Sequence, residues 1–438
     1  MERFSEKRAW IGRRLQLVAA VIAVPAVISS PAQCAAQAID VHWVRSWGTA
    51  LMAPEDFEDY PGLGRAFRSE TLRQRIVMTA SGKRLRVWFS NQYGTRPLVI
   101  GEAHIARSAV GSSIVPGTDH VLSFGGRAGI AVPPGAMVVS DPIALDAEAR
   151  TVLAISLYLP RSTEGSPSTV HQGAWQEGFV SSAGDFAGAD SFPVAARLPS
   201  HFYIAGVDVE APESIGAIIA LGDSITDGYG STPGAGHSWP EELARRLPAK
   251  RGGPLAVLNM GIGGNRLLHD LTGPAALARL NRDVLSIPGA RFLIVFEAIN
   301  DIGGAEWFGR PEEDVSADDI IGALRQIISQ AHEYGITVIG ATLTPTAGCL
   351  DPGYDSPASE AKRQKVNTWI RGGREFDAFI DFDEVIRDPK MPSRMKPEYD
   401  SGDHLHPGDA GYAAMAAAID LAIFDRIRNA GTSVRQGP

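Results

Sequence analysis

The sequence predicts two regions of different class, an all-β region followed by an α/β region with a parallel sheet. From about Ile39 to Glu210, short apolar segments are separated by turns, and no long segment has a helical period. After Ala211-Pro212-Glu213, apolar strands alternate with amphipathic helices. Repeated strand–helix units imply a parallel sheet between two helical layers. We therefore expect a β-domain at residues 39–212 and an α/β domain at residues 213–438, after a leader at residues 1–38.

The leader is predicted from the order of its residues. Basic residues precede an apolar run from Leu15 to Ile28, which is shorter than the about 20 residues that a membrane span needs. Ala36-Gln37-Ala38 then fits a small-residue cleavage site, so the order is that of a secretory signal peptide. We expect a secreted or periplasmic protein without stable membrane insertion after cleavage. An uncleaved anchor helix is the alternative.

The β-region contains segments with the pattern of half-buried strands. Residues Arg84 to Ser90 alternate polar and apolar side chains. The segment from Thr151 to Leu159 is rich in β-branched residues and ends at Pro160, and Phe202 to Val209 forms another strand candidate. Short strands punctuated by Gly and Pro turns predict an antiparallel β-sandwich of jelly-roll-like type.

The α/β region shows strand and helix candidates in alternation. The strand candidates are Ala217–Leu221, Leu255–Asn259, Phe292–Glu297, Thr337–Thr342 and Ala378–Phe382. The helix candidates are Trp239–Leu247, Pro274–Leu285, Ala317–Tyr334, Glu360–Ile370 and Asp409–Arg428.

Charge and composition exclude several classes of protein. The formal net charge of −9 argues against a nucleic-acid binder, since phosphate binding needs clustered Lys and Arg. Cleavage of the leader removes Cys34 and leaves Cys349, for which we expect a structural role. The ten histidines include no His-Glu-x-x-His motif, and Arg266 stands where a dinucleotide fingerprint beginning at Gly261 needs its third glycine. We expect neither a metal nor a cofactor.

Polar residues and glycines follow three successive strand candidates. Ser224 follows the first in a Gly-flanked turn, the segment Gly261-Ile262-Gly263-Gly264 follows the second, and Asn300 follows the third. Asp403 and His406 stand just before the last helix candidate. Ligands of open α/β sheets bind beyond the carboxyl ends of the strands, so we expect these residues to meet there. A hydroxyl nucleophile, a base with an orienting acid, and donors for an oxyanion are what ester hydrolysis through a covalent intermediate requires.

In these segments the chain resembles the SGNH hydrolases, also called the GDSL esterase/lipase family. All four sequence blocks of that family occur in order across residues about 217–412. The resemblance implies a flavodoxin-like three-layer sheet. It also implies the site residues, with Ser224, Asp403 and His406 as the catalytic triad and Ser224, Gly264 and Asn300 as the oxyanion hole. The upstream β-region resembles a subgroup of secreted bacterial members with an added β-domain.

Residues near these blocks carry weaker signals. The family usually has Gly two residues before the block-three Asn, and Ala298 stands there in this chain. His404 competes with His406 for the role of base, but the three-residue spacing from Asp403 favours His406. Asp223 and Asp227 are interpreted as turn residues. The residues that could line a pocket or simply pack are Trp239, Arg266, His269 and Trp307.

The combined pattern predicts a serine esterase for carboxylic esters. We expect short acyl chains, because no apolar lid sequence is present, on glycans as O-acetyl groups or on small esters. The same triad could serve an acyltransferase, a lysophospholipase or a thioesterase, and the sequence does not separate these. A non-enzymatic alternative is a glycan-binding protein with an inert hydrolase region.

Overall fold

The structure is a computed structural model that describes residues 41–55, 64–173, 177–247 and 255–425. The predicted leader lies outside the described residues, as does the end of the last predicted helix at Arg428. The described residues belong to one compact unit. Within it, the proposed domain boundary at residue 212 falls at the end of a strand, and it stays a prediction.

The amino-terminal region is built from antiparallel strands. In chain order they are β1 Val41–Gly48, β2 Glu70–Val77, β3 Gly82–Ser90, β4 Leu98–Ile100, β5 Glu102–Arg107, β6 His120–Val121, β7 Ile130–Val132, β8 Met137–Val139, β9 Ile143–Ala147, β10 Val152–Leu159, β11 Val170–His171, β12 Gly178–Ala183, β13 Val194–Leu198, β14 His201–Phe202 and β15 Ile204–Pro212. One sheet has the order β1-β15-β3-β8, with β9 also paired to β3, and the other has the order β13-β12-β2-β10-β5-β6. The all-β prediction is confirmed.

The pattern of apolar residues explains the position of the central strand β10. Its residues Leu153, Ile155 and Leu157 are fully buried, and β2 and β5 flank it on either side. The β-branched and aliphatic residues fit a pleated surface between two neighbours. The strand ends before Pro160, which cannot donate a ladder hydrogen bond.

The carboxy-terminal region is an α/β fold. Its strands are β16 Ala217–Gly222, β17 Ala256–Gly261, β18 Ala290–Phe296, β19 Thr337–Ala341 and β20 Ala378–Ile380. Its helices are α1 Ser224–Asp227, α2 Trp239–Arg246, α3 Ala276–Leu280, α4 Ile299–Trp307, α5 Ala317–Glu333, α6 Pro357–Gly372, α7 Phe382–Ile386 and α8 Asp409–Ala418. All strands of the sheet are parallel, in the order β17-β16-β18-β19-β20. This is the flavodoxin-like order, and the fold-class prediction is confirmed.

Several helices differ from the sequence prediction: α1 and α7 were not predicted, and the helix predicted at Pro274–Leu285 is α3 Ala276–Leu280 followed by a π-helical turn, Asn281–Leu285. Two further differences have identifiable causes. The last long helix, α8, ends at Ala418, where Arg246 of α2 donates to the carbonyls of Ala416 and Ile419 and so satisfies the helix end. Helix α4 was not predicted, because Gly303 and Gly304 in its middle lower the helix propensity. Tertiary packing overrides that propensity.

The β-region covers one edge of the parallel sheet. Strand β17 is the edge strand, and β1 packs against it. The Thr79 hydroxyl of the β-region accepts a hydrogen bond of 3.1 Å from the Val257 amide in β17. An open sheet edge is a site of aggregation unless it is covered, so this contact protects the fold.

Candidate active site

Ser224 begins a single helical turn at the carboxyl end of β16. Asp223 caps this turn, since its Oδ1 accepts the Ile225 amide at 2.8 Å. The turn, α1, ends at Asp227 and is followed by Gly228, whose amide donates to the Ser224 carbonyl at 2.9 Å. The apolar strand and the capped turn together fix the serine at the carboxyl ends of the parallel strands, where ligands of this fold bind.

His406 links the serine to an acid. The Ser224 hydroxyl and the Nε2 atom of His406 are 2.8 Å apart, and Nδ1 of His406 lies 2.7 Å from Oδ2 of Asp403. The other Asp403 oxygen accepts the backbone amides of His406 and Leu405, at 2.8 and 2.9 Å. Because a carboxylate can only accept, Nδ1 carries the hydrogen and Nε2 presents its lone pair to the serine.

The environment of Asp403 keeps its carboxyl group ionised. Partial burial opposes the charge, but the hydrogen bonds and charge of His406 outweigh burial and lower the pKa of Asp403 below its ordinary value. On its other side, the His406 ring packs against Tyr229, with ring centroids 4.5 Å apart. The imidazole is therefore held by an anion and by an aromatic ring.

Gly264 and Asn300 meet through the residue that follows the glycine. The Asn300 Nδ2 atom donates to the carbonyl of Asn265 at 2.9 Å. Gly264 has a φ of +72°, and a Cβ there would lie 2.8 Å from the Thr272 hydroxyl, so glycine is required. In the part of the chain that the structure describes, the Gly264 amide and the second Asn300 amide hydrogen have no acceptor, and they remain available to a ligand.

Tyr354 fixes the orientation of the Asn300 side chain. Its hydroxyl donates to Asn300 Oδ1 at 2.6 Å, and its ring lies against Gly303 of α4, where a Cβ would come within 2.5 Å. Because Tyr354 holds the oxygen and Asn265 holds one amide hydrogen, the orientation of the amide group is determined. Sequence reasoning missed Tyr354, which lies outside the four blocks and carries no motif.

Three carboxyl groups lie buried near the serine turn. Burial raises the pKa of Asp223 to about 7 and that of Asp301 to about 6, and it raises the pKa of Glu297 well above its ordinary value. Asp301 also accepts the amides of Leu267 and Leu268 at 2.7 and 3.1 Å, which ties the start of α4 to the loop after β17. Burial therefore favours the neutral form of these carboxyl groups over the charged form.

Other candidates from the sequence form contacts of their own, apart from the chain from Ser224 to Asp403. His404 pairs with Asp400 at 2.5 Å and is half-exposed. Trp239 is fully buried against Phe382, and Arg266 is buried with an ion pair to Glu313. The full burial of Trp239 is that of a packing residue.

Cys349 is a buried free thiol whose pKa burial raises to about 11, which agrees with the expected structural role. Across the described ranges, no three His, Cys, Asp or Glu side chains are grouped so that they could hold a metal ion. In the same ranges, no helix combines the length and the apolar character needed to cross a bilayer.

Comparison with known proteins finds a family model that matches part of the α/β region. Residues 220–414 match the model of the GDSL-like Lipase/Acylhydrolase family. No curated protein matches the chain.

Solved structures similar to part of this chain come from several bacteria. A carbohydrate acetylesterase, Est24, from Sinorhizobium meliloti is 15% identical with a TM-score of 0.37. The aryl esterase of M. smegmatis is 17% identical with a TM-score of 0.36; each match covers 49% of this chain and 99% of the other. A putative acylhydrolase from Bacteroides fragilis is 21% identical with a TM-score of 0.36, over 48% of this chain and 88% of the other.

Proposed function

We propose that residues 220–414, which match the GDSL-like Lipase/Acylhydrolase family model, act as a serine esterase that hydrolyses carboxylic esters through an acyl-serine intermediate. The observation that carries the proposal is the continuous hydrogen-bonded chain from the Ser224 hydroxyl through His406 to Asp403. This order of groups activates a hydroxyl nucleophile, because the base can remove the proton while the acid stabilises the charged base.

Acylation follows from this geometry. The Ser224 Oγ attacks the ester carbonyl carbon while Nε2 of His406 takes the hydroxyl proton. The carbonyl oxygen becomes an oxyanion, for which the Ser224 and Gly264 amides and the Asn300 side chain are the proposed donors. His406 then gives its proton to the departing alkoxide, the C–O bond breaks, and the alcohol leaves an acyl-serine.

Deacylation reverses the proton path with water in place of the alcohol. Water attacks the acyl carbon as Nε2 of His406 accepts its proton, and the same donors bind the second oxyanion. Return of that proton to Ser224 Oγ releases the carboxylic acid and restores the enzyme. The low pKa of Asp403 supports both halves, since an ionised carboxylate stabilises the imidazolium each time it forms.

We further propose that the acyl group is short and that the alcohol is a glycan or a small molecule. Ser224 and His406 are only 8% and 9% exposed, and this burial supports a small acyl group. The signal-peptide prediction, which stays a prediction, would place such a substrate outside the cytoplasm.

Replacement of Ser224 tests the proposed reaction. We expect Ser224→Ala to lower kcat for p-nitrophenyl acetate by about five to six powers of ten, because loss of the nucleophile abolishes the covalent route. The matched control is Ser286→Ala, whose exposed hydroxyl only donates to the Arg282 carbonyl, and it should keep wild-type kcat. Full hydrolysis by folded Ser224→Ala would refute the assignment.

A phosphonate ester that reacts with activated serines provides an independent measurement. Mass spectrometry should find the label on Ser224 of the wild type and not on Ser224→Ala. If the wild type is neither labelled nor active, the site is inert and the protein is not an esterase.

A series of p-nitrophenyl esters tests the substrate class. We expect kcat/KM to be highest for acetate or butyrate and to fall for octanoate and dodecanoate. The products should also be measured with an added acceptor alcohol, because a dominant transfer product would make the protein an acyltransferase. Highest activity on dodecanoate would contradict the short-chain proposal.

A further inference from the structure

The β-region contributes a buried histidine to the turn that carries Ser224. His171 lies in the short strand β11, and its Nε2 atom is 3.1 Å from Oδ1 of Asp227, the last residue of α1. Its Nδ1 atom is 2.8 Å from the carbonyl of Ala50, also in the β-region. Both His171 and Asp227 are buried. One side chain therefore connects the β-region backbone with the nucleophile turn.

The protonation of this contact follows from its partners. The Ala50 carbonyl can only accept, so Nδ1 of His171 must carry a hydrogen. Burial opposes a charge on His171, but the Asp227 carboxylate outweighs burial and raises the pKa of the imidazole. We take the pair as an imidazolium donating from Nε2 to a carboxylate, which is how a buried Asp227 charge is compensated.

The other side of the same turn is held by the parallel sheet. Asn259 of β17 donates to the carbonyls of Thr226 and Asp227, at 2.8 and 3.1 Å. Gly261 packs directly under the turn, where a Cβ would come within 2.3 Å of the Asp227 amide. The turn is thus held between β17 and β11, and His171 is the contact from the β-region side.

We propose that His171 is a positioning residue for the nucleophile, so that the β-region completes the catalytic site by holding the turn from Ser224 to Asp227. This inference rests on the proposed esterase function. A small rotation of the turn would move both the Ser224 hydroxyl, which must face His406, and the Ser224 amide, which is a proposed oxyanion donor. An unpaired Asp227 carboxylate would also place negative charge one helical turn from the developing oxyanion.

The charged and titratable groups around His171 are consistent with this role. His201 of β14 pairs across from His171 in the two-stranded ladder, and burial lowers the pKa of His201 to about 3, so it stays neutral. Arg279, whose guanidinium donates to the Gly222 carbonyl at the end of β16, is the other cation that acts on Asp227. His171 is the side chain that contacts the carboxylate through a hydrogen bond.

Two amide substitutions separate the catalytic role from a merely structural one. The Nε2 atom of a glutamine can reach the position of the histidine Nε2, whereas the Nδ2 atom of an asparagine matches the histidine Nδ1. His171→Gln therefore keeps a donor for Asp227, and His171→Asn keeps only the bond to the Ala50 carbonyl. We expect His171→Asn to lower kcat for p-nitrophenyl acetate by about 10- to 100-fold with little change in KM, because a displaced nucleophile has this order of effect. His171→Gln should recover most of the lost kcat.

The matched control is another histidine that crosses between the two regions. Nε2 of His42 in β1 lies 2.8 Å from the carbonyl of Ile215, which precedes the start of β16, whereas Ser224 follows its end. A strand of this length separates the two contacts by about 20 Å. His42→Ala should lower thermal stability and leave kcat at the wild-type value.

All measurements use the full chain, with kcat expressed per folded molecule and the rate of phosphonate labelling of Ser224 as a second readout. Slow labelling in His171→Asn with fast labelling in His171→Gln supports the inference. Equal kcat and labelling rates in wild type, His171→Asn and His171→Gln would overturn it and leave the esterase function intact. If His171→Asn does not fold, Asp227→Ala provides the same test of the pair. A wild type that is neither active nor labelled would overturn the esterase function itself, and the inference with it.

Discussion

The buried Asp208 and Arg73 side chains of the β-region are more completely hydrogen-bonded than the Asn300 amide of the α/β region. In the β-region, the buried Asp208 carboxylate accepts from Arg45, Arg86 and Trp88, and buried Arg73 donates to the Ser156 hydroxyl and to four backbone carbonyls. In the α/β region, the buried Asn300 side chain keeps one amide hydrogen that has no acceptor among the described residues. Buried atoms without a partner occur in the described parts of both regions, for example Ser200 Oγ and Glu297 Oε2.

This difference in hydrogen bonding distinguishes buried groups that stabilise the fold from buried groups that are available for catalysis. A buried polar group that is fully hydrogen-bonded inside the fold rigidifies it, whereas a buried group left with free hydrogen-bonding capacity costs stability and remains available to a ligand. Asn300 keeps one amide hydrogen for this purpose while Asn265 and Tyr354 hold the rest of the group. The β-region contributes to the site where a side chain reaches out of it, as His171 does.

The largest expected effect is on the stability of the β-region. Arg73→Met should lower the free energy of unfolding by about 3–5 kcal/mol, because several carbonyls lose their donor at once. The kcat of the folded protein should stay at the wild-type value. Chemical denaturation and an esterase assay at low temperature measure the two quantities.

Arg75→Met is the control for this substitution, since Arg75 is on the same strand and its Nε donates only to the Ser108 hydroxyl. It should cost less than about 1 kcal/mol. If fully folded Arg73→Met has a lower kcat than the wild type, the inference that Arg73 serves stability and not catalysis is wrong.

The next largest expected effect is a loss of kcat through weaker stabilisation of the oxyanion. Asn300→Ala should lower kcat by about 10²–10³-fold, the usual effect of losing one oxyanion donor. Asn367→Ala removes another buried amide, which binds the Leu343 backbone in the same region, and it should lower stability without lowering kcat. Equal losses of kcat in both variants would show that burial, and not the position of Asn300, decides the result.

A smaller effect is expected from the residue that orients this amide. Tyr354→Phe removes the hydroxyl that donates to Asn300 and should lower kcat about tenfold, with KM nearly constant, because one hydrogen bond of orientation is lost. The exposed Tyr334 supplies the control Tyr334→Phe. An unchanged kcat in Tyr354→Phe would assign Tyr354 to packing alone.

The smallest effect tests the departure from the family pattern. Ala298 precedes α4 with a φ of +109°, a left-handed conformation that strains any residue with a Cβ. Ala298→Gly should raise the free energy of unfolding by about 0.5–1 kcal/mol, because relief of strain exceeds the entropy that glycine adds to the unfolded chain. Ala305→Gly, inside the same helix, should lower it by about 1 kcal/mol. A loss of stability in both variants would show that Ala298 is not strained.

Most of the fold was predictable because it depends on local patterns. Apolar runs such as Ala217–Leu221 and Thr337–Thr342 gave strands that end within one residue of the observed β16 and β19. Helix α4 was missed, since Gly303 and Gly304 argue against a helix and only the tertiary contact of the Tyr354 ring explains Gly303. The end of α8 at Ala418 was also missed, because Arg246 lies far away in the sequence.

The sequence by itself predicted the class of both regions, and together with the resemblance to the SGNH hydrolases it predicted the candidate site residues Ser224, Gly264, Asn300, Asp403 and His406. Periodicity, turn residues and the ends of strands are local properties, so they can be read from a single sequence. Only the tertiary structure decided that Tyr354 holds Asn300 and that His171 reaches Asp227 from the β-region. Contacts between residues far apart in sequence depend on how the strands and helices pack, and this packing cannot be read from the spacing of residues along the chain.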